Sequence, residues 1–403
     1  MTLEDLRDAD VRGKRVLVRV DYNVPLDERQ QVTDDTRIRA TLPTLEWLTS
    51  RGARVVLLSH LGRPKGKPVP EMSLRPAAQR LAQLVPQKVD FIGVTVGEQA
   101  EQATRELGDG DILLLENTRY LPGEEKDDPE LARQMAALGD LFVNDAFGSA
   151  HRAHSSTAGV AGVIRARGGL AVAGLLMERE LEYLGNALES PRRPFVAILG
   201  GAKISGKIDV IEALLPKVDT LLIGGAMANT FFRAMGLETG ASLVEDDRVP
   251  MARDLLARAG DKIVLPTDVV IAERLEAGAP TRIVDRSEIP AGWQALDIGP
   301  ASAARFGELV GSARTVLWNG PMGVFEIPEF RIGTEAVARA LATATAGGAI
   351  TVVGGGDSAA AISELGLADR VSHVSTGGGA SLEFLEGRTL PGVAALSDAG
   401  GAR

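Results

Sequence analysis

The sequence contains no cysteine among its 403 residues. This absence excludes disulfide bonds, thiolate metal sites and a cysteine nucleophile. No apolar stretch approaches the ~18 residues that a membrane-spanning helix needs. The first ten residues are polar and acidic, so we expect no signal peptide. Together these absences favour a cytoplasmic protein that does not associate with membranes.

Positively charged residues are fewer than negatively charged ones. The chain has 44 Lys and Arg residues and 54 Asp and Glu residues, for a formal net charge of −10. This balance argues against non-specific binding to nucleic acid. The chain has no short internal repeat and no low-complexity segment. Its hydrophobic fraction of 45% is that of an ordinary globular protein, and its length favours two domains.

Short β-rich runs alternate with helical patterns along the chain. The runs lie at 15–20, 55–59, 112–115, 141–143, 195–199, 220–223, 262–265, 316–318 and 350–353. The clearest helical patterns lie at 37–51, 74–84, 129–138 and 208–215. Continuous apolar strands that alternate with helices indicate parallel sheets covered on both faces. The sequence therefore predicts two doubly wound, Rossmann-like α/β domains.

The stretch 170–188 is typical of one helix, which Pro191 and Pro194 would stop. It divides the two sets of strands, so we interpret it as the connector between domains. The predicted organisation is an N-terminal domain over 1–169, a connector helix and hinge over 170–190, a C-terminal domain over 191–386 and a tail over 387–403.

Ligands bind at the carboxyl ends of the strands in such sheets, and in the first half polar and basic residues follow strand after strand at that position. They are Asp21, Asn23, Ser59, His60, Arg63, Arg119 and Arg152, with Arg37 in the first turn of a helix. Arginine supplies forked donors that match phosphate and carboxylate oxygens, so the pattern predicts an anion site. The spacing His151-x-x-His154 also permits a metal ion, although no third ligand lies nearby in the sequence.

The second half contains Gly201-x-x-x-x-Gly206-Lys207, which matches a P-loop except that Ile208 replaces the Ser or Thr that binds magnesium. Glycine turns follow four strands in this half, at 200–201, 224–225, 354–356 and 377–379. Such turns let backbone N–H groups approach a phosphate, although close helix–strand packing also requires glycine. None of them fits G-x-G-x-x-G, so a dinucleotide dehydrogenase is not supported.

Charged side chains accompany these turns. Lys203 and Lys207 are spaced to reach phosphates, Asp357 is placed to bind magnesium, and Glu326 could accept from ribose hydroxyls. The sequence thus predicts an anion site in one domain and a magnesium-nucleotide site in the other. This is the layout of a two-substrate phosphotransferase that must close to bring its reactants together.

Eight stretches carry a resemblance to a known family. They are RVDYNVP, SHLGRP, ENTRY, NDAFGSAHRAHSS, GGAKISGKI, WNGPMGVFE, VVGGGDSAAA and STGGGASLEFLEG. In this order and over nearly the whole chain they resemble phosphoglycerate kinase. The resemblance implies reversible phosphoryl transfer from 1,3-bisphosphoglycerate to ADP, giving 3-phosphoglycerate and ATP in glycolysis and gluconeogenesis. It also implies a monomer that uses Mg²⁺ with its nucleotide.

The resemblance further implies a role for individual residues. The phosphoglycerate-binding positions are Asp21, Asn23, Arg37, Ser59, His60, Leu61, Gly62, Arg63, Arg119 and Arg152. The nucleotide-binding positions are Gly201, Ala202, Lys207, Gly225, Ala295, Asn319, Pro321, Glu326, Gly355, Gly356, Asp357 and Ser358, with Asp357 on magnesium. The catalytic positions are Arg37, Lys203, Lys207, Gly378 and Gly379.

Two positions depart from the family's pattern. Ala295 stands where many relatives have glycine, and Gly206 stands where the family usually has aspartate. Gly206 is what makes this turn look like a P-loop, so the missing Ser or Thr was never part of the site. The family's tail often packs back on the first domain, and the stretch TLPGVAALSD is the candidate here.

The acceptor of the implied reaction is a carboxylate, which is already ionised at neutral pH and needs no general base. His60 is therefore interpreted as a hydrogen-bond partner of the substrate. One alternative is a kinase that acts on a different small acid, which a panel of substrates would distinguish. The other is an inactive nucleotide-binding or interaction protein, which we would expect to have lost Lys203, Lys207 or Asp357.

Overall fold

A computed structural model describes residues 1–397 of the chain, apart from the side chains of residues 8 and 9. The chain forms two compact units. The first consists of Met1–Glu182 with the C-terminal segment that begins at Thr389, and the second is Tyr183–Arg388. The end of the predicted tail, residues 398–403, lies outside the described residues.

The first unit is built around a parallel sheet. Its strands are β1 (Arg15–Arg19), β2 (Arg54–Leu58), β3 (Val89–Phe91), β4 (Ile112–Leu114), β5 (Leu141–Asn144) and β6 (Ala171–Ala173). Its helices are α1 (Asp8–Val11), α2 (Thr36–Ala40), α3 (Leu42–Thr49), α4 (Arg75–Leu84), α5 (Glu98–Glu106), α6 (Pro129–Ala136), α7 (Val160–Ala166) and the beginning of α8 (Leu175–Glu189). Within residues 1–397, the six strands are ordered β3-β4-β2-β1-β5-β6. The middle strands are buried because helices cover both faces of the sheet.

The second unit repeats this arrangement. Its strands are β7 (Phe195–Leu199), β8 (Thr220–Ile223), β9 (Ile263–Val264), β10 (Asp268–Ala272), β11 (Thr281–Asp285), β12 (Gln294–Ile298), β13 (Thr315–Asn319), β14 (Ile350–Gly354) and β15 (His373–Val374). Its helices are α9 (Ile208–Leu214), α10 (Met227–Ala234), α11 (Val249–Ala259), α12 (Pro300–Ser312), α13 (Ile332–Ala346), α14 (Gly356–Glu364) and α15 (Gly378–Leu385). Among the described residues, six strands form a parallel sheet in the order β15-β14-β13-β7-β8-β9, and three form the antiparallel sheet β11-β10-β12.

The predicted fold class is confirmed by the two parallel sheets. The small antiparallel sheet was not predicted, because β11 is largely exposed and its residues do not form a continuous apolar run. In both parallel sheets the carboxyl ends of the strands lead into the residues that the sequence singled out.

Two helix predictions were wrong. Residues 171–173 form strand β6, which pairs with β5, so the helix predicted over 170–188 begins only at Leu175. Asp145 Oδ1, just beyond β5, accepts the backbone N–H groups of Leu176 and Met177 at 2.9 and 3.2 Å and so fixes that start. The helix predicted over 37–51 is divided at Thr41, because Pro43 occupies the first turn of α3.

The C-terminal segment packs on the first unit. Helix α16 (Pro391–Ala394) lies within it. The Gly392 N–H donates to the carbonyl of Ala150 at 2.8 Å, and the Ser397 N–H donates to the carbonyl of Ala171 at 2.7 Å. Within residues 1–397, no helix is both long enough and apolar enough to cross a membrane.

Candidate active site

Asp21 is the centre of the polar cluster that follows β1. Its Oδ2 accepts a hydrogen bond from Nη1 of Arg37 at 2.9 Å, and its Oδ1 lies 4.0 Å from Nδ1 of His60. Arg37 projects from α2 and keeps 37% of its side chain exposed, whereas Asp21 keeps only 13%. Arg37 therefore presents a cation to solvent while its position is set by a largely buried carboxylate.

The surroundings of this cluster shift the pKa values of both Asp21 and His60. Burial acts to raise the pKa of Asp21, but neighbouring positive charges, those of Arg37 and Arg19 among them, outweigh it and lower that pKa. Burial lowers the pKa of His60 to about 3, and Arg19, Arg119 and Arg37 act in the same direction. At neutral pH Asp21 is therefore ionised and His60 is neutral.

A second set of contacts joins the loops that follow β1, β2 and β4. Asn23 Oδ1 accepts the N–H of Gly62 at 2.9 Å, and Nη1 of Arg119 donates to the carbonyl of Gly62 at 2.9 Å. Ser59 is fully buried, and its Oγ accepts the N–H of Tyr22 at 2.8 Å. These bonds hold three strand ends together, so Asn23 and Arg119 both contact the loop at Gly62.

The remaining predicted residues of this half differ in exposure. Leu61 is buried, whereas Arg63 and Arg152 are exposed. Burial lowers the pKa of His154, and Arg19, Arg119, His151 and Arg152 act in the same direction. Arg152 thus belongs to the same basic region.

Sequence reasoning missed three residues beneath the crevice. Arg19, at the end of β1, is completely buried, and its Nη2 lies 3.1 Å from Nδ1 of His60. Its Nε donates to Ser156 Oγ at 2.8 Å, and that hydroxyl donates to the buried Glu124 at 2.5 Å. The available signal was the position of Arg19 at the end of a strand, RVLVR, whose interior residues are all apolar.

In the second unit, the side chain of Lys207 is held in place by Asn319. Its Nζ donates to the carbonyl oxygen of Asn319 at 2.9 Å and also to Oδ1 of that residue. Burial lowers the pKa of Lys207 to about 8, and the carboxylate of Asp357 offsets this only in part. Helix α9 begins at Ile208, and Lys207 occupies the preceding cap position.

Backbone groups from three strand ends converge beside Lys207. Gly201 N–H donates to the carbonyl of Pro321 at 2.9 Å, and Gly225 N–H donates to the carbonyl of Met322 at 3.0 Å. A Cβ on Gly200 would lie 2.1 Å from the oxygen of Pro321, so only glycine allows this approach. The glycines that follow β7 and β8 therefore allow the backbones of these turns to pack closely against each other.

The turns before α14 and α15 lie next to each other. Gly355 has φ +90°, which favours glycine, and a Cβ on Gly378 would lie 3.6 Å from the N–H nitrogen of Gly356. Ser358 is buried and accepts the N–H of Gly320 at 2.6 Å, whereas Asp357 is exposed. Two helix N-termini thus present backbone N–H groups at one edge, where an anion would be stabilised.

The other predicted nucleotide-binding residues surround this edge. Ala202, Lys203, Glu326 and Gly379 are exposed, and Pro321 is buried. Ala295 is buried in β12 and lines a narrow apolar cleft with Gly225, Phe232 and Met322. The cleft's volume of about 10 Å³ has room for one water molecule, so the cleft would have to widen to take a nucleobase.

No group of three or more His, Asp or Glu side chains among the described residues is placed to hold a metal ion. Magnesium is often bound by one or two carboxylates together with the phosphates of a substrate. The exposed carboxylate of Asp357, at the N-terminus of α14 and within coulombic reach of Lys207, fits this mode. Asp357 is therefore suited to bind a magnesium ion that is also coordinated by the phosphates of a nucleotide.

Comparison with known proteins agrees with this geometry. A family model described as Phosphoglycerate kinase matches residues 6–388. The phosphoglycerate kinase of Chloroflexus aurantiacus is 59% identical over 404 residues, covering 99% of this chain and 100% of that protein. The structure of phosphoglycerate kinase from Coxiella burnetii has a TM-score of 0.86 and 41% identity over 98% of both chains. That from Pyrococcus horikoshii has a TM-score of 0.85 and 33% identity over the same share. The chain belongs to the phosphoglycerate kinase family.

Proposed function

We propose that this chain transfers a phosphoryl group reversibly between 1,3-bisphosphoglycerate and ADP, giving 3-phosphoglycerate and ATP. It is a phosphotransferase with a carboxyl group as acceptor and acts in glycolysis and gluconeogenesis. The observation that carries the proposal is the family match over residues 6–388. The basic crevice of the first unit and the glycine-lined edge of the second support it independently.

The first unit binds phosphoglycerate in this proposal. Arg37, Arg63, Arg119 and Arg152 neutralise its phosphate and carboxylate groups through forked donors. Asp21 and Asn23 accept from its hydroxyl group, and Ser59, His60, Leu61 and Gly62 shape the loop around it. The contacts of Asn23 and Arg119 with Gly62, each 2.9 Å, support this assignment because they place both residues at one loop.

The second unit binds the nucleotide. Lys207, held by Asn319, contacts phosphate oxygens, and the turns at 201–202, 225 and 355–358 offer backbone N–H groups to them. The base enters the cleft lined by Ala295 and Gly225, with Pro321 beside it, and Glu326 accepts from the ribose. Asp357 holds Mg²⁺, which neutralises charge on the phosphates when it is bound.

Transfer requires positioning and charge stabilisation rather than proton abstraction. The attacking carboxylate of 3-phosphoglycerate is already ionised, so no general base is needed. Arg37, Lys203 and Lys207 stabilise the charge that spreads over the transferring group, and the N–H groups of Gly378 and Gly379 add to this. The neutral state of His60 agrees with a hydrogen-bonding role, since with a pKa of about 3 the ring is not an imidazolium acid at pH 7 and is a weak base.

The wider organisation belongs to the same proposal. We assign phosphoglycerate binding to residues 1–169, nucleotide binding to 191–386, a connector and hinge to 170–190 and a returning tail to 387–403. We expect a monomer in the cytoplasm. The absence of cysteine and the net charge of −10 support the location and argue against a nucleic-acid partner.

The test is a coupled assay in which the purified chain phosphorylates 3-phosphoglycerate with ATP and Mg²⁺, and ADP formation is followed. We expect saturable activity that requires both substrates. Arg119→Ala should raise KM for 3-phosphoglycerate about tenfold or more, the loss of one charge-assisted bond. Its matched control is Arg29→Ala, which removes an exposed arginine of the same unit and should leave KM unchanged.

Assays with a panel of small carboxylic acids distinguish this function from that of a kinase that acts on a different small acid. Faster phosphorylation of another acid, with no turnover of 3-phosphoglycerate, would refute the proposed substrate. ADP binding without transfer to any acid would favour the inactive nucleotide-binding alternative.

A further inference from the structure

The contact between Arg19 and His60 determines which nitrogen of the histidine ring carries the proton. Arg19 Nη2 lies 3.1 Å from His60 Nδ1. A guanidinium group has only hydrogen-bond donors, so Nδ1 must be the acceptor and carries no proton. The single proton of the neutral ring is then on Nε2. Burial and the surrounding arginines keep the ring neutral, since they hold its pKa at about 3.

Asp21 favours the opposite arrangement. Its Oδ1 lies 4.0 Å from the same Nδ1, and a carboxylate stabilises a proton on the nitrogen that faces it. Without Arg19, the proton would move to Nδ1 and leave Nε2 as an acceptor. The two charged neighbours of Nδ1 therefore select different tautomers, and Arg19 is at hydrogen-bonding distance whereas Asp21 is not.

Arg19 is itself held by partners that leave it little freedom. Nε donates to Ser156 Oγ at 2.8 Å, and Nη1 donates to the carbonyl of Val20 at 2.5 Å. Ser156 is anchored in turn by Glu124, whose Oε2 accepts its N–H at 3.0 Å. Arg19 and Glu124 are both completely buried, so Arg19 acts on a ligand in the crevice through His60 rather than by contact.

The other ring nitrogen faces away from these partners. Within residues 1–397, Nε2 of His60 makes no hydrogen bond, and it is not among the enclosed polar atoms that lack a partner. The 5% of His60 that remains exposed thus includes this atom. Nε2 is the position from which the ring can meet a ligand beside Asp21 and Arg37.

We propose that Arg19 is a positioning residue that fixes His60 as the Nε2–H tautomer, so that the ring presents a donor to an oxygen of phosphoglycerate. The identity of that ligand rests on the proposed function, whereas the tautomer does not. With the proton on Nδ1, Nε2 would present a lone pair to the anionic ligand and weaken its binding.

The test combines NMR of the ligand-free protein with steady-state kinetics. Long-range ¹H–¹⁵N spectra of protein labelled at histidine report which ring nitrogen is protonated, and His60→Gln assigns the signal among the four histidines. Removing Arg19 alone would leave Glu124 buried and unpaired, which destabilises the fold. The variant is therefore Arg19→Met with Glu124→Gln, and the control is Glu124→Gln alone, in which the charge of Asp21 still stabilises the buried Arg19.

We expect the Nε2–H signal in the parent and in the control, and the Nδ1–H signal in the double variant. KM for 3-phosphoglycerate should rise about tenfold in the double variant, equivalent to about 1.4 kcal/mol, with KM for ATP unchanged. An Nε2–H signal in the double variant would overturn the role of Arg19. A changed tautomer with unchanged KM for 3-phosphoglycerate would overturn its effect on the ligand. A parent without activity on 3-phosphoglycerate refutes the proposed function, and the spectra still decide whether Arg19 controls the tautomer.

Discussion

The lowered pKa of Lys207 makes nucleotide binding depend on pH. The ordinary value of 10.5 falls to about 8 because the ammonium is buried. The group therefore loses its charge as pH rises through 8, and the attraction for phosphate that is present below pH 8 is lost above it. Phosphate oxygens against the ammonium favour its charged form, so nucleotide binding should return the pKa toward its ordinary value.

The size of the effect follows from this difference. If binding restores the ordinary value, linkage predicts that the dissociation constant for ADP rises about twentyfold between pH 7.5 and pH 9.5. This equals about 1.8 kcal/mol. The phosphate groups are already almost fully ionised over that range, so their own titration adds little.

Isothermal titration calorimetry with ADP at constant free Mg²⁺ measures the profile. Lys207→Arg keeps a positive charge at every pH, so its affinity should hardly depend on pH, whatever its absolute value. Lys203→Met removes an exposed lysine of the same turn and should keep the slope of the parent. A flat profile in the parent, or an equal slope in Lys207→Arg, would refute the assignment of the slope to Lys207.

Three further predictions concern other residues. Arg37→Ala should lower kcat by about 10²–10³ while ADP affinity changes little, because its charge acts on the transition state; steady-state kinetics and ADP titration measure both. Asp145 has a pKa raised to about 6 by burial, so its contribution to stability is complete below its ordinary value of 3.8 and is lost as pH rises through 6. The buried Asp145 should lower the free energy of unfolding by about 2.5 kcal/mol between pH 4 and pH 8, and Asp145→Asn should remove that loss in denaturant titrations. Gly200→Ala should destabilise the second unit by about 3 kcal/mol, since its Cβ meets the oxygen of Pro321 at 2.1 Å, whereas the nearest atom to a Cβ on Gly206 is 4.0 Å away.

Each of these has a contrary outcome. A rise confined to KM for phosphoglycerate in Arg37→Ala would make that residue a ground-state contact. An unchanged pH dependence in Asp145→Asn would mean that other carboxyl groups control it. Equal melting temperatures for Gly200→Ala and the control Gly206→Ala would show that the turn at Gly200 has room for a side chain.

The sequence alone determined the fold class and predicted a region for each half-site. Apolar strands that alternate with helices specify parallel sheets because both faces of such a sheet are buried. Polar residues at strand ends can likewise be read locally, and they made Asp21, His60 and Lys207 candidates without knowledge of any contact. The P-loop likeness was resolved by the resemblance to the family, whose pattern usually has aspartate at the position of Gly206.

The tertiary structure decided the boundaries and the partners. Residues 171–173 form a strand because β5 offers them a neighbour, and their own sequence fits a helix equally well. Arg19 meets Ser156 across 137 positions of the chain, and Lys207 meets Asn319 across 112. Periodicity tells which residues face inward but carries no information on what they face. The partner of a buried charge is set by long-range packing, and so the residues that support His60 and Lys207 became visible only in the folded chain.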